Sequence, residues 1–268
     1  MLDIIKNAAR KAGEIQKKYF HSTDLDIANK TNHENIVTKA DHESQKVIHA
    51  FILNALSDLG INQDEVGFIG EEDFRSTGKH MFIIDPLDGT SNYATGTEEF
   101  GVLIVYYFEH KLQSAVMYFP MKGLMYTSEL GKGVYLEKNG AIEKIEIKKI
   151  PLHNSFLLSS MSYDDEIKAG IPQKILALKP LFRAVRMYGC IGLELVYILE
   201  GIAGAIIGFG CSVWDIAPGM LMLREVGYEM YDFEGNLLEL DLSKPKNTYP
   251  FFACHPRHLE RIMKYVSK

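Results

Sequence analysis

Two aspartates three positions apart, Asp85 and Asp88, lie in the run Asp85-Pro86-Leu87-Asp88-Gly89-Thr90-Ser91. Hard cations prefer carboxylate and carbonyl oxygens, and Mg2+ is commonly held by a few carboxylates together with substrate phosphate oxygens. Gly89 lets backbone approach a ligand closely. Thr90 and Ser91 suit a helix start, where free N–H groups favour an anion. One turn thus offers cation ligands on one side and phosphate-binding amides on the other. An acidic turn capping a helix would use the same residues, so partners elsewhere in the chain must decide. Glu71 follows the apolar stretch Val66-Gly67-Phe68-Ile69-Gly70 as Asp85 follows Met81-Phe82-Ile83-Ile84, and Asp215 stands in Trp214-Asp215-Ile216-Ala217-Pro218-Gly219. Asp41 closes Val37-Thr38-Lys39-Ala40-Asp41, where a charge favourable to a helix dipole is the plainer reading.

These acids need elements to carry them. Short apolar runs bounded by turn residues read as strands, so residues 66–70 and 81–84 are expected strands with their acids at adjacent ends. Pro86 cannot donate to a sheet ladder, so the second strand is expected to stop there. Amphipathic helices are expected over 2–20 and from about 40 to 59, with Gly60 as the stop. The polar residues 21–35, which contain Lys30, read as a loop. An antiparallel meander is expected from 100 to 136, and the charged, alternating segment 142–150 ends at Pro151 as a border between halves. The second half alternates expected strands (156–159, 184–187, 203–207, 251–254) and helices (171–178, 190–199, 215–226, 257–266), with a polar segment after 159 and a hairpin over 228–240. Glu72 and Asp73 read as a solvated face.

Composition narrows the class. The chain has 268 residues, 47% hydrophobic and 24% charged, with a net charge of −6. That acidity disfavours a dedicated nucleic-acid binder. Three dispersed cysteines, Cys190, Cys211 and Cys254, form no CxxC and fit reduced thiols in a cytoplasm. Residues 1–10 show no signal-peptide core. The most apolar region, 190–214, is broken by Glu194 and Glu200, and its longest uncharged run, 201–214, is too short to span a membrane. No histidine pair has zinc-site spacing.

GEE at 70–72, DPLDGTSNY at 85–93 and WDIAPG at 214–219, preceded by NIVTKAD at 35–41, resemble the inositol monophosphatase family of Mg2+-dependent, lithium-sensitive phosphatases. Motif order and spacing match along nearly the whole chain. The resemblance implies a layered αβαβα sandwich of α/β class: a six-stranded antiparallel sheet with two helices in residues 1–150, then a mixed sheet with flanking helices in 151–268. It implies that Glu71, Asp85 and the Leu87 carbonyl bind a first Mg2+, that Asp85, Asp88 and Asp215 bind a second, and that Glu71 contributes to a weaker third site. Thr90, paired to Asp41, would contact the attacking water. The amides of Gly89 and Thr90, with Ser91 beside them, would hold the phosphate. Lys30 matches a loop lysine near the metals, and Gly189, Cys190 and Ile191 fall where the family's loop lines the sugar side. Homodimers are common in the family.

One departure bears on the substrate. Inositol-selective members carry an acid seven residues before the WD aspartate, and here that position is Gly208, which is expected to leave room for a larger alcohol. The expected function is hydrolysis of inositol 1-phosphate or related sugar and polyol phosphates. Alternatives within the superfamily are NADP, fructose 1,6-bisphosphate and 3′-phosphoadenosine 5′-phosphate phosphatases. A different class is a non-enzymatic partner role, since some bacterial relatives assist RNA polymerase in antitermination.

Overall fold

The computed structural model describes residues 1–22, 25–30, 35–72, 75–147, 150–160, 171–244 and 247–266. In chain order the main elements are α1 (Leu2–Tyr19), β1 (Ala28–Asn29), β2 (Ile36–Val37), α2 (Lys39–Asp58), β3 (Val66–Gly70), β4 (Arg75–Ser76), β5 (His80–Asp88) and α3 (Thr90–Thr95). The meander β6 (Gly101–Phe108), β7 (Lys111–Phe119), β8 (Leu124–Glu129), β9 (Gly133–Lys138) and β10 (Ala141–Lys144) follows. The rest is β11 (Phe156–Ser160), α4 (Ile171–Leu178), β12 (Ala184–Arg186), α5 (Ile191–Leu199), β13 (Ala203–Cys211), α6 (Val213–Glu225), β14 (Glu229–Tyr231), β15 (Tyr249–Cys254) and α7 (Leu259–Val266). Asp73 and the polar segment expected after Ser159 lie outside the described residues, as does part of the 21–35 loop.

The layering is the expected αβαβα. Strand side chains alternate between faces, so Phe82 and Ile84 of β5 meet Ile5, Ala8, Ile48 and Ile52 of α1 and α2. Ile83 points the other way, into a core with Leu103, Leu195 and Ile216. That second core sandwiches α5 and α6 between the two sheets, since Leu158, Ile206 and Phe251 of the second sheet join it. The outer face of the second sheet, with Leu157, Ile207 and Phe252, packs on Leu178, Ile262 and Val266 of α4 and α7.

The first sheet differs from expectation in number and direction. It has eight strands in the order β10-β9-β8-β7-β6-β5-β3-β4, and β3 runs parallel to β5 with Gly70 opposite Ile84. The extra strands are edges that carry no apolar face: β4 has two residues, and β10 is exposed along its whole length. β4 forms the outer edge, antiparallel to β3, so the chain returns to start β5 beside β3 in the same direction. The parallel pairing matters for the site, because it brings the C-terminal ends of β3 and β5 to one edge. The second sheet is mixed, in the order β12-β11-β13-β15-β14. Among the described residues no helix is long and apolar enough to cross a membrane. All three cysteines are buried and unbridged.

Candidate active site

β5 does not stop at Pro86. It continues to Asp88 through a bulge, with Asp85 opposite Leu103 and Asp88 opposite Gly101. A bulge is where a residue without an N–H can sit in a strand. The next amide, that of Leu87, turns out of the ladder and donates to Asp85 Oδ1 at 3.0 Å. From the helical layer, Gln16 Nε2 donates to the Pro86 carbonyl at 2.8 Å, so α1 holds the bulge in place. Gly89 follows with φ of +86°, and a Cβ there would come within 2.6 Å of the Glu99 carbonyl oxygen. Both features require glycine.

Each acid brought to this edge is oriented by a bond to the chain itself. Asp41 is the third residue of α2, and its Oδ2 accepts from the Thr38 amide (2.8 Å) and hydroxyl (2.6 Å) in a capping box. Its Oδ1 is left to accept from Thr90 Oγ1 at 2.9 Å. One oxygen of Asp41 thus makes the helix cap, and the other meets the Thr90 hydroxyl with which the resemblance pairs it. Asp215 repeats the device at the third residue of α6, accepting from the Ser212 amide through Oδ2 at 2.6 Å. Asp88 Oδ1 accepts from the Ile191 amide (3.0 Å), and Oδ2 accepts from the Gly192 amide (2.7 Å) and Cys190 Sγ (3.0 Å). Thr90 Oγ1 also lies 2.9 Å from the Leu87 carbonyl, so its single proton has two acceptors to choose from.

Electrostatics shows that the acids face one another. Burial pushes the Asp85 carboxyl well above the usual range, and the charges of Glu71, Asp88 and Asp215 push it further. Asp215 is raised by burial and then by Glu71. Asp88 is raised by burial to about 6, although its Cys190, Gly192 and Ile191 donors pull it down. Asp41 reaches about 7, chiefly through burial. Lys30 answers part of this charge: its Nζ lies 2.8 Å from Glu71 Oε1 and 2.6 Å from Glu72 Oε1. Burial works to lower the Lys30 ammonium, but the attraction of the two glutamates outweighs it and the net shift is upward. Glu72 is thus a half-buried ion-pair partner rather than a solvated charge.

As folded, no three His, Cys, Asp or Glu side chains among the described residues are spaced to hold one ion. Glu71 is engaged by Lys30, and Asp88 by amides and a thiol. The donor chemistry nonetheless fits a hard cation, because Asp85, Asp88 and Asp215 are buried carboxyls raised by neighbouring acids, and Lys30 offsets only part of that charge.

Gly189, with φ of +69°, turns the chain into α5, but Cys190 and Ile191 deliver their donors to Asp88. The room expected at Gly208 is filled: a Cβ there would overlap the ring of Phe251, with Cδ1 at 2.8 Å and Cζ at 2.9 Å, because the two residues are cross-strand partners. Ser91 lies in the first turn of α3, as expected. Motif reading missed Gln16, Asn92, Gly192 and Glu194. Only Glu194 left a signal, as a charge interrupting an apolar run.

The inositol monophosphatase family model matches residues 1–268. The chain belongs to the inositol monophosphatase family. Among curated relatives, Nus factor SuhB of Pseudomonas aeruginosa is 29% identical over 239 residues, covering 88% of this chain and 86% of that protein. Inositol-1-monophosphatase of Mesorhizobium japonicum is 27% identical over 255 residues, covering 90% and 88%. Among solved structures, the extragenic suppressor protein suhB of Bartonella henselae superposes with a TM-score of 0.84 at 24% identity, covering 99% of this chain and 98% of that one. The αβαβα layering is thus the layering of an inositol monophosphatase fold.

Proposed function

We propose that this member of the family is a Mg2+-dependent phosphomonoesterase acting on inositol 1-phosphate or a related sugar or polyol phosphate. The observation that carries the reading is that Asp85, Asp88 and Asp215, buried beside the Gly89–Thr90 turn, lie near enough to Glu71 for its charge to push their carboxyls further up. Four ionised carboxylates would repel a phosphate monoester, which itself carries about two negative charges, so cations are needed for binding. In this reading Glu71, Asp85 and the Leu87 carbonyl hold one Mg2+, Asp85, Asp88 and Asp215 hold a second, and Glu71 contributes to a weaker third. Bound there, Mg2+ would neutralise the phosphate, acidify water and stabilise the attacking and leaving oxygens of an in-line displacement.

The chain's own groups do the rest. Thr90 donates its hydroxyl proton to Asp41 Oδ1, which frees an oxygen lone pair to accept from the attacking water. The capping bonds on Asp41 Oδ2 keep that acceptor aimed at Thr90. The amides of Gly89 and Thr90, with Ser91, cradle the phosphate, and Lys30 adds positive charge at the Glu71 side. Gly189, Cys190 and Ile191 form the wall toward the leaving alcohol. Phosphoryl transfer needs little beyond such positioning and charge neutralisation. The chain is read as a cytoplasmic homodimer.

Phosphate release from inositol 1-phosphate, NADP and fructose 1,6-bisphosphate, with and without Mg2+ and with added Li+, tests the proposal. Mg2+-dependent, Li+-inhibited release fastest from inositol 1-phosphate is expected. A different leading substrate would move the chain to another branch, and no Mg2+-dependent release would sink the reading. A second role, as a partner in RNA polymerase antitermination, is supported by the SuhB name carried by the Pseudomonas relative. Capture of RNA polymerase by an inactive metal-site variant would establish it.

A further inference from the structure

Glu194 is a buried acid that the reaction does not use. It is fully buried (0% exposed) in the first turn of α5, between core residues Leu193 and Leu195. Its Oε1 accepts from the Tyr188 amide at 2.7 Å, while its Oε2 has no hydrogen-bond partner. Burying a carboxylate with half its capacity unmet is costly, and burial pushes this one up to about 8 against the pull of the Tyr188 and Gly189 amides. An apolar side chain would satisfy the helix better, but it could not accept the Tyr188 amide.

What Glu194 holds is Tyr188, whose backbone is gripped on both sides of its Cα. The N–H goes to Glu194, and the carbonyl accepts from Asn92 Nδ2 at 2.7 Å. Asn92 belongs to α3, directly after the Asp88-Gly89-Thr90 turn, and the same nitrogen reaches the Glu99 carbonyl at 2.8 Å. Beyond Gly189, the next three residues all donate to Asp88, from Cys190 Sγ and the Ile191 and Gly192 amides. Residues 188–192 are therefore stapled to Asp88 on one side and to α3 on the other.

We infer that Glu194, together with Asn92, is a positioning residue that holds residues 188–192 so that they fix both the Asp88 carboxylate and the wall beside the leaving alcohol. The inference rests on the proposed role of Asp88 as a metal ligand. A purely structural Glu194 would set the melting temperature and nothing else. A positioning Glu194 sets cation affinity and KM through groups it does not touch.

Three variants separate these cases. Glu194→Leu removes the acceptor, Glu194→Gln keeps an oxygen for the Tyr188 amide, and Asn92→Ala releases Tyr188 from its other side without altering the buried acid. Thermal melts followed by circular dichroism give the folded fraction. Mg2+ affinity is read from the fluorescence of Trp214, the single tryptophan, which neighbours Asp215. Glu194→Leu and Asn92→Ala are expected to weaken Mg2+ binding per folded molecule by about 10- to 100-fold, as outer-shell losses at metal sites do. Both should raise KM more than they lower kcat. Glu194→Gln should recover most of the loss, and the Leu/Ala double variant should lose less than the product of the singles, because both act on one residue, Tyr188. Should Glu194→Leu not fold, Asn92→Ala and Glu194→Gln carry the comparison. Parental Mg2+ affinity and KM in the variants, whatever their melting temperatures, would overturn the inference alone, and so would a Gln variant as impaired as the Leu one. A parent that neither binds Mg2+ nor releases phosphate would overturn the proposed function and this inference with it.

Discussion

Asp88 is placed so that a single side chain serves the fold and, in the proposed reading, the chemistry. Its three donors from residues 190–192 make it one link between the two halves, yet burial and the Glu71 charge oppose its ionisation. Asp88→Asn changes both terms. Its carboxyl titrates near 6 instead of the usual 3.8, so removing the charge relieves roughly 3 kcal/mol at neutral pH. An amide nitrogen facing a backbone N–H forfeits about 1–3 kcal/mol. The terms nearly cancel, so Asp88→Asn should abolish Mg2+-dependent turnover while the metal-free melting temperature moves little. A large drop on calorimetry would show that the acceptor role dominates, and retained turnover would remove Asp88 from the metal set.

Among elements, the β13–β15 pair decides what the sequence left open at position 208. A glycine where the resemblance implies an acid in inositol-selective members suggests an empty space, but the opposing residue, Phe251, covers it. Even Gly208→Ala should therefore destabilise, by about 1–3 kcal/mol for an overpacked core, and Gly208→Glu by more. Phe251→Leu should cost less in the Gly208→Ala background than alone, a non-additivity that denaturant titration can read. Strict additivity would mean that the ring moves aside freely. Restoring an acid here requires changing two strands. β5 carries the complementary lesson. Its apolar run and its acids were legible, but the passage through Pro86 was not, because a bulge depends on the partner strand β6 and on Gln16 reaching across from α1.

In the whole molecule, the metal-free site works against the fold. Asp41, Asp88 and Glu194 are raised to about 7, 6 and 8, and Asp85 and Asp215 are raised well above the ordinary range. A carboxyl raised in the folded state keeps its proton there at pH values where the unfolded chain has released it. Folding then takes up protons, and stability falls as pH rises. The window opens near the unfolded carboxylate values, about pH 4, and extends at least to pH 8, where Glu194 ionises. In EDTA the melting temperature should fall from pH 5 to pH 8, and millimolar Mg2+ should restore most of the loss at the upper end, since a ligand of the folded state stabilises it. A flat profile in EDTA would mean that the site is compensated without metal.

The chemistry was legible because it resides in residue types and local order. Acids after apolar runs, a glycine that must be a glycine, and a hydroxyl beside them announce cation and phosphate binding. The individual helices and strands followed from periodicity, and the layered class from the family motifs. Two edge strands were missed because they are short or bury nothing, and the parallel β3–β5 pair because strand direction depends on where the chain returns. The Lys30 ion pair with Glu72, the Phe251 ring over Gly208 and the bond from Asn92 to Tyr188 join positions from about 40 to 100 apart. Such contacts leave no spacing to read in the chain. Sequence alone determined which groups hold charge; only the packing of β5, α3, α5 and β13 decided what holds those groups and which spaces remain for an alcohol.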